Sequence, residues 1–357
     1  MSEGGQTPDA DLARARAAAS TGREGDVVTL ADGAGGKASR RLVEQLFLDE
    51  LRNPLLEQLE DAALVAANGT RLAVTTDSYV VRPLRFPGGD IGELAVNGTV
   101  NDLAVSGAVP LALTAGFVLE EGFPTDELRT LVASMAAAAR AAGVAVAAGD
   151  TKVVERGAAD GLYVTTAGIG LLDLRAVLGL ARVRPGDRLL VSGAIAEHGI
   201  AVMLARGNLE LELDVLSDTA PLNGLTAALC ALGPELRWMR DPTRGGLATT
   251  LNELATGAGL SVVFDEQAVP VRDDVRAACE LLGIDPLTVA NEGKLVAVVS
   301  QQAAPEALRL LRAHPLGAEA ALIGELRDDR EPLVLARTPF GTRIVDMLVG
   351  DPLPRIC

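Results

Sequence analysis

Apolar positions along the chain change period repeatedly, and each change marks an element. Leu42, Val43, Leu46 and Phe47 recur at helical spacing within residues 39–51, as do Leu94, Val100 and Leu103 within 92–106. Alternating or continuous apolar runs predict strands at 71–76, 111–119, 144–148 and 162–169. The first delivers Asp77 at its end, and Gly149-Asp150-Thr151-Lys152 forms a loop between the last two. A helix is predicted over 124–142, opened by Pro124 with Asp126 and Glu127 in its first turn. The second half repeats the mixture, with strands at 188–191, 261–264 and 295–299 and helices at 222–232, 246–255 and 305–312. Strands and helices alternate without a regular βαβ cadence, so the pattern predicts α+β domains rather than a doubly wound sheet.

Residues 182–187 (Arg-Val-Arg-Pro-Gly-Asp) are rich in turn formers and divide the chain. The N-terminal domain is expected over 26–181 and the C-terminal domain over 182–345, a length of 357 residues suiting two cores better than one. Residues 1–25, rich in Gly, Ala, Asp and Arg, predict a disordered extension, and order begins at the apolar-alternating Val27-Val28-Thr29-Leu30. After residue 345 the chain has two prolines and no periodicity, which predicts an extended, flexible tail over 346–357 ending at Cys357.

Composition narrows the function. The formal net charge of −16 disfavours duplex nucleic acid, whose binding rests on cationic contacts to phosphates, but it leaves room for a nucleotide bridged by Mg²⁺. The most membrane-like stretch, 131–148, is mostly alanine and carries Arg140 mid-span. Such a charge costs roughly 2.5–3.5 kcal/mol at a bilayer centre. That stretch reads as a buried helix running into a strand, with no membrane association. Met1 to Gly5 lacks the basic and apolar runs of an export signal. Cys230, Cys279 and Cys357 show no CxxC spacing, which suits a reducing cytoplasm.

Candidate chemistry gathers at a few loops. Gly33, Gly35 and Gly36 with Lys37 form a glycine loop ahead of a helix, where backbone N–H groups can close around phosphate oxygens. It is not a P-loop, because Ala31 and Ala38 stand where that pattern needs Gly and Ser or Thr. A strand-to-helix turn explains it equally well. Asp77 at a strand end, Asp102 beside Asn101 in an apolar helix, Asp150 in its loop and Asp241 before Pro242 are carboxylates in apolar settings. Each alone can be a helix cap, Asp241 most of all, but several converging carboxylates suit Mg²⁺. Glu292 is a candidate general base and Lys152 a candidate cation for a phosphoryl group, and both are equally explained as surface ion-pair partners. Cys357 is not a prenylation cysteine, which would stand four residues from the end. An extended seven-residue arm can carry a thiol up to roughly 25 Å.

Together these segments resemble the HypE family, the carbamoyl dehydratases of the PurM-like (AIR synthetase-like) superfamily. The matching stretches are Thr-Thr-Asp-Ser (75–78), Phe-Pro-Gly-Gly-Asp-Ile-Gly (86–92), Asn-Gly-Thr-Val-Asn-Asp-Leu-Ala (97–104) and Gly-Asp-Thr-Lys-Val-Val (149–154). They continue with Asp-Pro-Thr-Arg-Gly-Gly-Leu (241–247), Asn-Glu-Gly-Lys-Leu (291–295) and the terminal Pro-Arg-Ile-Cys. The resemblance implies a two-domain PurM-like protomer, dimerising through its N-terminal domains with ATP near that interface. It implies a HypF-like carbamoyltransferase that loads Cys357, and ATP-driven dehydration of the S-carboxamide to a thiocyanate. HypC/HypD-like iron-scaffold proteins would then receive cyanide for a nickel–iron hydrogenase. On this reading Asp77, Asp102, Asp150 and Asp241 hold Mg-ATP with Asn101 and Thr151, the glycine loop with Lys37 meets phosphates, and Glu292 and Lys152 serve the amide centre.

The glycine loop departs from the family pattern, with Asp32 and Ala34 where histidine and serine are expected. A selenophosphate synthetase would carry a reactive Cys or selenocysteine in that loop, and an AIR synthetase has no need of a terminal cysteine. A non-catalytic scaffold docking partners through its tail is the remaining alternative, which ATP binding separates.

Overall fold

A computed structural model of the chain describes residues 27–33, 35–175, 177–207, 213–348, 353 and 355–357. The expected N-terminal extension, Ala34, and Gly350, Asp351, Pro352 and Pro354 of the tail lie outside the described residues.

The first half builds a five-stranded sheet in the order β1–β2–β7–β5–β6. Its strands are β1 (Ala63–Ala67), β2 (Thr70–Tyr79), β5 (Ala108–Glu120), β6 (Ala145–Val154) and β7 (Leu162–Leu172), with the short β3 (Arg85–Phe86) and β4 (Gly89–Asp90) pairing separately. β6 runs parallel to β5, and the other pairings are antiparallel. Two short helices, α1 (Gly36–Leu42) and α2 (Leu48–Leu51), precede the sheet and are joined by a π turn at Val43–Phe47. α3 (Ile91–Val105) is buried nearly all round, its polar Asn97, Thr99 and Asn101 included. Asp90 caps it, accepting from the amides of Gly92 (2.8 Å) and Glu93 (3.1 Å). α4 (Thr125–Ala142) packs beside it.

The second half builds a seven-stranded sheet ordered β14–β13–β10–β12–β8–β11–β9. The strands are β8 (Arg188–Val191), β9 (Leu236–Arg240), β10 (Ser261–Asp265), β11 (Val296–Val299), β12 (Ala321–Arg327), β13 (Val334–Thr338) and β14 (Gly341–Ile344). β11, a continuous valine-rich run, is buried on both faces. Around the sheet lie α5 (Glu197–Ala205), α6 (Asn223–Cys230), α7 (Gly246–Ala258), α8 (Asp273–Leu282) and α9 (Ala304–Arg312).

Three expectations change. Residues 149–152 are not a loop: β6 continues through them, because Gly149 to Lys152 pair in parallel register with Ala115 to Val118 of β5. β2 does not end before Asp77 but carries it to Tyr79. Asp241 caps no helix, since the residue preceding α7 is Gly245 in left-handed conformation. The α+β class stands, with mixed sheets in both halves.

Candidate active site

The site begins with the two-residue period of β2. Ala73, Thr75, Asp77 and Tyr79 point to one face, which α3 covers. Asp102 lies in the last turn of α3, where the helix dipole disfavours negative charge, and accepts from Thr75 Oγ1 at 2.7 Å. The Tyr79 hydroxyl donates to Asp77 Oδ2 at 3.2 Å. From the other half β9 delivers Arg240 and then Asp241. Arg240 holds Asp61, ahead of β1, through Nε at 2.8 Å and Nη2 at 2.7 Å, and Glu253 of α7 through Nη1 at 2.9 Å.

Asp61, Asp102 and Asp241 bring one carboxylate oxygen each within 4.8 Å of one another. Burial, then the charges of Asp77, Asp241 and Asp61, push Asp102 well above the usual carboxylate range. Burial, then Asp61 and Asp77, push Asp241 up to about 8. Asp77 is raised as well, chiefly by burial. Carboxylates this crowded need protons or a cation, and an all-oxygen donor set is what Mg²⁺ takes. The residues therefore fit a divalent cation. Beside them opens a cavity of about 940 Å³, lined by Gly33, Gly35, Gly36, Asp77, Asp241 and Arg244 among others.

The glycine loop borders this cavity, but part of its geometry serves packing. A Cβ on Gly36 (φ +73°) would meet the carbonyl oxygen of Leu348 at 2.4 Å, and the Lys37 amide donates to that oxygen at 3.0 Å. The Lys37 ammonium turns to Asp346 at 2.5 Å and is not among the cavity-lining residues. Asp32 is occupied locally, accepting from the Thr29 amide (2.8 Å) and hydroxyl (2.7 Å), which holds its carboxyl below the usual range.

Other expected residues stand elsewhere. Asn101 is fully buried and joins the halves: its amide donates to the carbonyls of Ala220 and Glu292, both at 3.1 Å, and accepts from Leu222 N at 2.8 Å. Both its amide hydrogens thus serve contacts between the halves. Asp150, Thr151 and Lys152 lie on β6, exposed and outside the cavity of their own chain, with Lys152 paired to Asp150 at 2.6 Å. Glu292 is buried. The amides of Glu292 and Gly293 donate to Asp218 at 3.1 and 3.2 Å, and a Cβ on Gly293 would meet the Asp218 carbonyl oxygen at 1.7 Å. Among the described residues Glu292 Oε1 is buried without a hydrogen-bond partner, and burial followed by Asp241, Asp218 and Asp77 pushes its pKa well up. Lys294 does not pair with it; it meets Glu197 at 3.1 Å and Asp218 at 3.3 Å.

The tail reaches this region. Val80 N donates to Cys357 O and Arg82 N to Arg355 O, both at 3.2 Å, and the Arg355 guanidinium meets Asp160 at 2.5 Å. Cys357 is half-buried, and the largest influence raising the Arg244 pKa is the charge at Cys357, ahead of Asp77 and Glu292. Arg244 donates to Gly33 O at 2.9 Å and lines the cavity with Asp77 and Asp241. The sequence reading passed over Asp61, Arg240 and Arg244. Arg244 lies within Asp-Pro-Thr-Arg-Gly-Gly, while Asp61 carries only the weak signal of an acid ahead of an apolar run.

Family models for AIR synthase related proteins match both halves, the N-terminal domain model over 59–172 and the C-terminal domain model over 184–335. A carbamoyl dehydratase HypE of Azotobacter vinelandii is 52% identical over 331 residues, spanning 92% of this chain and 97% of that protein. The chain belongs to the HypE family. A crystal structure of a HypE–HypF complex superposes with TM-score 0.82 at 47% identity, covering 86% of this chain and 99% of that one. A structure of the hydrogenase maturation protein HypE in complex with ATP superposes at 0.78 with 46% identity, covering 93% and 100%. Family membership thus rests on both sequence and fold. Among the described residues no helix is long and apolar enough to cross a membrane.

Proposed function

We propose that this HypE-family chain dehydrates a carboxamide carried on the sulfur of its own Cys357, at the cost of ATP, and yields a thiocyanate. The observation that carries the reading is the docked tail: Val80 N and Arg82 N donate to Cys357 O and Arg355 O at 3.2 Å, which seats the last residue directly after the strand that carries Asp77. The name and ATP complex of its relatives agree with it.

The chemistry needs three things from the chain. The carboxamide oxygen must attack the terminal phosphorus of ATP, displacing ADP, because a phosphorylated oxygen leaves far more readily than an amide oxygen. The amide nitrogen must then lose its protons as the C–O bond breaks, so that phosphate departs and a C≡N triple bond remains. Glu292 is assigned the base: its unpartnered Oε1 is a vacant acceptor in a dry setting. Arg244, which lines the cavity with Asp77, would balance charge near the reacting group, and Asp218 fixes the backbone that carries Glu292. Asp61, Asp102 and Asp241 would hold Mg²⁺, with Asp77 alongside; the ion supplies charge neutralisation for the transferring phosphoryl group.

Lys152 and Asp150 cannot act in their own chain's cavity. β6 is a sheet edge exposed along nine of its ten residues, so in this reading they enter the site of a second copy. A HypF-like carbamoyltransferase would load the thiol, and HypC/HypD-like scaffold proteins would take the product. The test is intact mass. Protein carrying S-carboxamide at Cys357 is expected to lose one water when Mg-ATP is added, and Cys357→Ala, loaded under the same conditions, should neither gain the group nor lose water. A carboxamide that persists in the wild type with bound ATP would sink the proposal.

A further inference from the structure

Outside the residues assigned so far lies a fully buried histidine, His198, in the first turn of α5. Its two ring nitrogens have different partners. Nδ1 is 2.8 Å from Ser217 Oγ, and Nε2 is 3.0 Å from the carbonyl oxygen of Ile356. A carbonyl can only accept, so Nε2 carries the hydrogen and Nδ1 accepts from the Ser217 hydroxyl. The Phe86 ring meets the imidazole edge-on at 5.3 Å between centroids, which fixes its plane. Burial favours the neutral ring that this tautomer requires.

The carbonyls of the last three residues are all held from the body of the protein. Arg206, at the end of α5, donates to Arg355 O at 2.9 Å; His198 takes Ile356 O; Val80 N takes Cys357 O. The first two donors come from one helix of the C-terminal half, the third from the N-terminal half. The main-chain donors at 80 and 82 meet the oxygens of Cys357 and Arg355 whatever side chains those residues carry, while the Arg355 side chain donates to Val80 O and meets Asp160. His198 is different: it lies in a fixed pocket and meets the carbonyl next to the reactive residue.

We propose that His198 is a positioning residue that sets the register of the docked C-terminal tail, presenting Cys357 at one place relative to Arg244 and Glu292. The proposal rests on the self-carried carboxamide reading for its consequence, but its structural content is tested without that chemistry.

Amide hydrogen exchange on the full-length protein, without nucleotide or carbamoyl donor, reads the docked state through Val80 and Arg82. Their amides face tail carbonyls, so a chain truncated after Leu348 supplies the undocked limit. His198→Phe fills the pocket and removes both hydrogen bonds; His198→Gln returns an N–H donor near the Nε2 position. The wild type should protect both amides relative to the truncated chain. His198→Phe should raise their exchange by roughly 5- to 10-fold, the effect of losing one buried hydrogen bond, and His198→Gln should recover most of the protection. Circular dichroism melting and Mg-ATP affinity check that the phenylalanine variant is folded. Should that variant fail to fold, His198→Gln combined with Ser217→Ala carries the test, with weaker protection than His198→Gln alone expected. The proposal is overturned if the wild type and truncated chain exchange alike, or if a folded His198→Phe protects both amides as the wild type does. For S-carboxamide protein, His198→Phe should also slow single-turnover dehydration while leaving ATP affinity unchanged. Normal protection loss with no dehydration in any variant would instead count against the functional reading alone.

Discussion

At the scale of single residues, the site is defined by carboxylates crowded together on the wall of the cavity. Asp61 pairs with Arg240 and joins the cluster with Asp102 and Asp241, so Asp61→Asn should weaken Mg-ATP binding by roughly tenfold or more, measured by calorimetry. An unchanged affinity would make Asp61 a structural ion-pair partner. Glu292 gives a sharper test, because its raised pKa has opposite consequences for activity and stability. As a base it must be ionised, so dehydration should fall as pH drops through a pKa above the ordinary glutamate value of about 4.3. Its folded-state pKa lies above the unfolded one, so its contribution to stability is present at low pH and is lost as pH rises through the folded value. Glu292→Gln should therefore slow dehydration by about 10²- to 10⁴-fold while S-carboxamide accumulates. The same variant should melt higher than the wild type above that pKa, with the difference vanishing in acid. A variant that dehydrates normally would move the base elsewhere.

At the scale of elements, strongly periodic segments were legible and loop geometry was not. The helix read over 92–106 is found at Ile91–Val105, and that over 124–142 at Thr125–Ala142, since long apolar patterns with an acidic start leave little choice of period. Gly149 to Lys152 looked like a loop from composition, yet pairing with β5 overrides the weak strand propensity of Gly and Asp. β12, β13, β14 and α5 went unread, and with α5 went His198, whose meaning depends on a tail carbonyl 158 residues away. The same distance problem hid Arg240 and Asp61, which meet only because β9 and the segment before β1 converge from different halves. Asp77, Asp102 and Asp241 stood out along the chain as carboxylates in apolar settings and lie on one cavity, but no spacing announces that Asn101 also joins the halves. The tail read as unstructured for want of periodicity. Its described residues are held by donors of the body, with Leu353 and Ile356 buried, so this order comes from a groove and not from local pattern.

At the scale of the molecule, one face of the five-stranded sheet is apolar and left uncovered by the described residues. Val74 lies opposite Ile169, and Val109 opposite Leu171, in cross-strand register, with exposures of 40, 37, 53 and 42%. Leu111 and Val146 extend the patch beside the exposed edge strand β6. Helices α3 and α4 cover only the other face, and a contiguous apolar patch of this kind marks an interface. In the proposed reading a second copy would cover this face and would also account for β6, because Asp150 and Lys152 do not line their own chain's cavity. Light scattering should accordingly find a dimer for the full-length protein. Ile169→Asp puts a charge at the centre of the patch without touching the carboxylate cluster, so it should yield a folded monomer with a melting temperature close to that of the subunit. If Lys152 acts across the interface, that monomer should lose dehydration even though Cys357, Glu292 and its own aspartates are intact. Mixing it with Cys357→Ala protein, which keeps a native face, should not restore turnover, because the mutant face still cannot pair. A wild type that is monomeric at micromolar concentration, yet fully active, would show that Lys152 and the uncovered face have no part in the reaction.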